Sequence, residues 1–267
     1  MTQRTKILIT VKTYPTLSTK YDELVCTAGI GEDGLWYRIY PVPFRKLHFD
    51  DRYKKYQWIT LDLTRHSSDP RPQSFRPISF SNAELGDTID TKHDWRERKR
   101  ILEPHMRDDM AQLIADAKDK SKITSLAFFK PREITSFTYE ETTRQYKPKQ
   151  IEKAQQGKLF SESGNPFEIV DKLPYKFFYH FVDAKGKKSR MMIEDWEIGQ
   201  LYWNCLKRKG TEEKALEDVV KKYRDDFIAK KDLAFFLGTT RVHHFRARNP
   251  FTIIGVFYPK KTGGDGV

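Results

Sequence analysis

Short apolar runs, each broken by a turn signal, fill the first third of the chain. "KILITV", "ELVCTAGI", "GLWYRIYPV" and "QWITLDL" are rich in β-branched and aromatic residues, the composition of half-buried strands. "GEDG" at residues 31–34 predicts a hairpin between the second and third runs, because glycine supplies the positive φ that tight turns need. "SSDPRPQSFRP" then predicts a proline-punctuated loop. Four or five strands with no long helix predict a small barrel of OB-like or SH3-like type over residues 1–90.

The period then changes. "HDWRERKRILEP" predicts a helix that starts with a charged turn, with Pro104 either ending it or opening the next. After it Met106, Met110, Leu113, Ile114 and Ala117 recur at three- and four-residue spacing, one apolar face of a second helix. "ITSLAFF" and "EITSFTY" predict two strands separated by "KPR", and the polar, Gln/Lys-rich residues 140–164 predict a flexible connection. The last hundred residues give a β-β-α-α-β-β order. "YKFFYHFV" and "SRMMIE" form a hairpin around "DAKGKK", and Asp195 caps a helix with Ile198, Leu201, Tyr202 and Cys205 on one side. Thr211 caps the next, whose apolar face is Leu216, Val219, Val220, Tyr223 and Phe227. "LAFFLG" and "TIIGVFYP" close the set. The expected class is α+β: a barrel-like subdomain, then a basic mixed α/β subdomain over residues 91–267.

Composition adds bulk and charge. The chain has 267 residues, 13% of them aromatic and 32% charged, which suits a folded protein with a sizeable core. Cys26 and Cys205 are the only cysteines, too few for a disulfide framework or a cysteine metal cluster. The apolar run at residues 7–11 is too short for a signal peptide, and no run approaches a membrane span. A cytoplasmic protein with no membrane partner is expected. Net charge is +12, and it is uneven: residues 1–90 hold 13 basic and 11 acidic side chains, whereas residues 91–267 hold 36 and 26. Residues 233–262 carry five basic side chains and no acid. Such a field suits a polyanion, since each neutralised phosphate releases condensed counterions. A well-solvated cytosolic protein of high pI is the alternative.

The densest chemistry lies at residues 239–251, "TTRVHHFRARNPF". If residues 242–248 are extended, His244, Arg246 and Arg248 share one face and His243 and Phe245 the other. Guanidiniums grip phosphate oxygens in pairs, so Arg241, Arg246 and Arg248 are phosphate contacts, and His244 or His243 is a proton carrier near neutral pH. A basic hairpin end without chemistry is the competing reading. Asp195 and Glu197 stand at a strand-to-helix junction, where carboxylates either activate water or merely cap the helix. Trp36, Arg38 and Tyr40, with Arg45 beyond them, present aromatic and basic groups as single-strand binders do; a half-buried strand gives the same pattern.

No Walker loop, GxGxxG, GxSxG, HExxH or zinc-deaminase signature occurs, so no cofactor or metal is expected. The phrases "YDELVCTAGI", "GLWYRIYPVPFR", "DWEIGQLY", "FFLGT" and "FTIIGVFYP" resemble an uncharacterised family of prokaryotic proteins. That resemblance implies an association with mobile-element or phage-defence genes and leans toward DNA; it implies no catalytic residues. The function expected is action on nucleic acid, DNA above RNA, as a nuclease or DNA glycosylase, with a non-catalytic nucleic-acid-binding module as the alternative.

Overall fold

The structure, a computed structural model, describes residues 2–17, 23–152 and 169–261. The fold is α+β, and the chain divides into two compact units. The first comprises Met1–Thr88 and Glu140–Lys176, the second Ile89–Tyr139 and Phe177–Val267.

The first unit holds β1 (Thr2–Lys12), β2 (Thr16–Leu17), β3 (Glu23–Gly31), β4 (Trp36–Val42), β5 (Gln57–Arg65), β6 (Ser74–Pro77) and β7 (Glu84–Thr88). The strand order β1-β3-β4-β6-β5 is closed by a further pairing of β1 with β5, which makes a five-stranded barrel with no free edge among those strands. β1 explains the closure. Ile7 is opposite Gly31 on one side and Ile59 on the other, and Ile7, Leu8, Ile9 and Val11 are all buried. The GEDG hairpin forms as its glycines require: Gly34 has φ of 76°, and Asp33 accepts hydrogen bonds from the Leu35 amide at 3.0 Å and the Tyr37 hydroxyl at 2.6 Å. Within the polar stretch from residue 140, Tyr146 packs against Leu17 and Val170, and Gln150 Nε2 donates to the Leu17 carbonyl at 2.7 Å. Residues 153–164 of that stretch lie outside the described residues.

The second sheet contains β8 (Met106–Arg107), β9 (Leu126–Phe129), β10 (Glu133–Glu141), β11 (Tyr175–Val182), β12 (Lys188–Ile193), β13 (Ala234–Thr239) and β14 (Phe251–Phe257). Their order is β10-β11-β12-β14-β13-β9-β8. β14 is buried along its whole length, which is why its sequence runs apolar without alternation. The helices are α1 (Lys92–Leu102), α2 (Met110–Lys118), α3 (Trp196–Lys209) and α4 (Glu212–Val220), the last continuing as a π-type turn over Lys221–Ile228. Ile198, Tyr202 and Cys205 of α3 are buried, as are Ala215, Leu216 and Val219 of α4. The core is aromatic: the Tyr179 ring stacks 5.4 Å from Phe235, and its hydroxyl donates to the Tyr223 carbonyl at 2.8 Å. No helix among the described residues is long and apolar enough to cross a membrane.

Two local expectations change. Met106 is exposed in β8 instead of extending the α2 stripe, which begins at Met110. In α1, His93, Asp94 and Trp95 have positive φ, and Trp95 packs edge-on against Phe257 and Tyr258, each 5.0 Å away. Asp94 is tied in the same place, accepting from the Lys260 amide at 3.1 Å.

Candidate nucleic-acid interface

β13 and β14 stay paired as far as Thr239 opposite Phe251. The eleven residues between those two turn back on themselves, and residues 242–248 do not follow an extended path. The backbone instead forms two successive helical turns. The Thr240 carbonyl accepts from the His244 amide at 2.9 Å, and the His243 carbonyl from the Ala247 amide at 2.9 Å. Asn249 Oδ1 accepts from the Phe251 amide at 3.1 Å and ends the loop.

This geometry sorts the side chains differently from a strand. His244 is fully buried while its neighbour His243 is exposed. His244 Nδ1 lies 2.7 Å from Thr239 Oγ1, beneath the loop. Arg241, Arg246 and Arg248 are exposed. Phe245 is 47% exposed and Val242 61%, and the Phe245 ring stands edge-on to the His244 imidazole at 4.5 Å. Arg241, Val242, Phe245 and Arg246 line a depression of about 480 Å³. The histidines therefore have separate positions, and the arginines share a rim with an exposed ring.

A second basic loop lies alongside. Gly238 is paired with Leu126, and the Thr239 amide donates to the Ser125 carbonyl at 3.1 Å, so the segment between α2 and β9 leaves the sheet beside residues 240–250. It carries exposed Lys120 and Lys122, and exposed Lys118 ends α2 just before it. Lys122 is paired with Asp116 at 2.7 Å, as is Arg107. The Lys122 hydrogen bond is the main reason the Asp116 carboxyl titrates at about 2. Sequence reasoning missed this neighbour because the pairing of β13 with β9 joins segments more than a hundred residues apart.

The carboxylates expected at the strand-to-helix junction are placed elsewhere. Asp195 is fully buried; one oxygen accepts from the Glu197 amide at 3.3 Å and the other from the Val256 amide at 3.1 Å. It caps α3 and straps the cap to β14. Val256 is five residues along β14 from Phe251, a run of about 16 Å, so Asp195 and the 240–250 loop occupy different parts of the sheet. Glu197 is half-buried in the first turn of α3. Burial, and then the charges of Asp195 and Glu197, push the Tyr223 hydroxyl far up.

In the barrel, Trp36 and Tyr40 are half-buried and Arg38 is buried. The segment from Arg65 to Ser74 covers Arg38: its amide donates to the Gln73 carbonyl at 2.6 Å and Nη1 to Ser74 Oγ at 3.4 Å. Burial, then the charge of Arg71, lowers the Arg38 guanidinium to about 10. Arg71 grips Asp69 with two bonds, Nε to Oδ1 at 2.9 Å and Nη2 to Oδ2 at 2.6 Å. Burial raises the Asp69 carboxyl, but the hydrogen bonds and charge of Arg71 outweigh it and hold the group well below the carboxylate range. Arg45 is half-buried, its carbonyl accepting from Arg52 Nη2 at 2.8 Å. Trp36, Arg38 and Tyr40 thus form no common exposed stripe. Among the described residues no group of three His, Cys, Asp or Glu side chains is arranged to hold a metal ion.

A family model described as "Domain of unknown function (DUF8758)" matches residues 3–104, and one described as "Domain of unknown function (DUF8757)" matches residues 106–266. No curated protein matches the chain. The second match spans more than half of the sequence, and the chain belongs to the DUF8757 family.

Proposed function

We propose that this member of the DUF8757 family binds nucleic acid, DNA in preference to RNA, through the loop of residues 240–250. The observation that carries the reading is the loop itself. Three exposed guanidiniums stand on a segment that contains no acid, above a backbone closed by its own turns and anchored by buried His244. The turns gather the three cations on one short loop, where neutralised phosphates would release condensed counterions. Exposed Lys118 and Lys120 lie in the stretch that leads into β9, whose Leu126 pairs with Gly238.

Binding is favoured over hydrolysis of a phosphodiester or N-glycosidic bond by the engagement of the groups such chemistry would use. His244 is buried against Thr239, and both Asp195 oxygens accept backbone amides. His243 and Glu197 are the remaining candidates for proton transfer. The proposal includes a cytoplasmic setting and, from the family resemblance, a role in defence against phage.

The test is titration of labelled DNA at several salt concentrations, with parallel incubations scored for strand breaks before and after alkali. Salt-sensitive binding to intact strands, weakened in Arg241→Ala and Arg246→Ala, supports the reading. Strand breaks, directly or after alkali, move it to the hydrolytic one. Absence of binding at low salt overturns it.

A further inference from the structure

The arginines account for phosphate contact, but they do not account for Phe245. Its ring is 47% exposed in a basic loop, where a lysine or serine would hold the same turn. The ring also has a defined neighbour: the His243–Ala247 turn sets its backbone, and the buried His244 imidazole stands edge-on to it at 4.5 Å. Val242, still more exposed, adjoins it on the rim of the depression that Arg241 and Arg246 complete. An exposed aromatic ring that shares a depression with two arginines matches the repeating chemistry of one nucleotide strand, a flat base flanked by phosphates. Stacking of bases on aromatic side chains is sequence-tolerant, because every base has a π-face. A duplex keeps those faces inside its stack, so the ring gains a partner only from unpaired bases.

We infer that the loop takes single-stranded nucleic acid, with Phe245 as the platform for one unpaired base and Arg241 and Arg246 on the adjoining phosphates. This rests on the nucleic-acid reading above and names the form of nucleic acid it selects. His244 is a positioning residue in this arrangement, since it backs the ring and does not face the ligand.

The experiment compares three labelled probes at one salt concentration: a single DNA strand, the same strand annealed to its complement, and a strand of abasic residues with the same number of phosphates. The single strand is expected to bind at least about tenfold more tightly than the other two, the size of one stacked base. Phe245→Ala removes that preference and leaves binding of the abasic strand unchanged, and Phe245→Trp restores it. Because the side chain is exposed, both variants should melt with the wild type, which separates loss of stacking from loss of fold. Equal binding of strand and duplex, lowered together by Arg246→Ala, overturns the single-strand inference while the nucleic-acid reading stands. Equal loss for all three probes in Phe245→Ala also overturns it. No binding of any probe overturns both.

Discussion

Nδ1 of His244 and Oγ1 of Thr239 lie 2.7 Å apart, both side chains buried at the end of β13. One of the two adjacent histidines is therefore an internal anchor of the basic loop, and its imidazole is committed to holding the turn. His244→Ala is expected to cost about 1–3 kcal/mol, the penalty for leaving a buried polar partner unsatisfied. The measurement is a urea titration paired with DNA binding. A stable His244→Ala protein that binds normally would remove the anchoring role.

The exposed arginines act on affinity through salt. If each holds one phosphate, Arg246→Ala should reduce the slope of log K against log salt by about 1, and Arg241→Ala should do the same. Neither change touches a buried group, so thermal melting should be unaltered. An unchanged slope in both variants would place the phosphates elsewhere.

Asp195 gives the opposite pattern. Its two carboxylate oxygens each accept one backbone amide, from α3 and from β14. Asp195→Asn keeps one acceptor only, and Asp195→Ala loses both. Loss of the cap alone costs about 0.5–2 kcal/mol, and the orphaned Val256 amide adds to it. Denaturation midpoints should fall in the order wild type, Asn, Ala, while the salt slope of DNA binding in folded protein stays constant.

Acid should weaken the barrel through Asp69. Its carboxyl is held well below the usual range when folded, against about 3.9 in an unfolded chain. The Asp69–Arg71 contribution is therefore complete above roughly pH 5 and is lost as pH falls through 4 and below. The stability gap between wild type and Asp69→Asn should narrow on going from pH 7 to pH 3. Arg71→Ala, which leaves a buried carboxylate without its main partner, should cost about 3–5 kcal/mol at neutral pH. A gap that widens in acid would assign the ion pair no such role.

The barrel wall is closest at Gly29, where a Cβ would come 2.1 Å from the Leu8 carbonyl oxygen. Backbone cannot yield there without breaking the pairing of Ile9 with Gly29. Gly29→Ala is expected to lose at least about 1–3 kcal/mol, as overpacked cores do, measured by thermal melting.

What the sequence displayed was local. Asp195 and Thr211 read as helix caps because a cap is decided within three residues, and the structure shows both. The strands on either side of residues 240–250 read correctly for the same reason: each is a continuous apolar run. The path of the loop did not, because it is made of two turns whose bonds run from the His244 amide to Thr240 and from the Ala247 amide to His243, and a mixed polar run carries no periodicity that reports them. Arg38 is a different case. Alternation along β4 sets which face the side chain takes, but its burial depends on the Arg65–Ser74 segment folding over it. "DPR" carried a hint, an acid two residues before an arginine across a proline, which is the spacing of the buried Asp69–Arg71 pair.

The position of β14 has a consequence for biosynthesis. It lies between β12 and β13, yet among the described residues it is the last strand in chain order. During vectorial synthesis the two halves of the second sheet leave the ribosome with their inner edges open, and neither can register against the other until residues 251–257 emerge. Completion of that sheet accordingly follows the synthesis of both halves, after an interval in which Ile193 and Leu237 await Ile253, the residue that pairs with both.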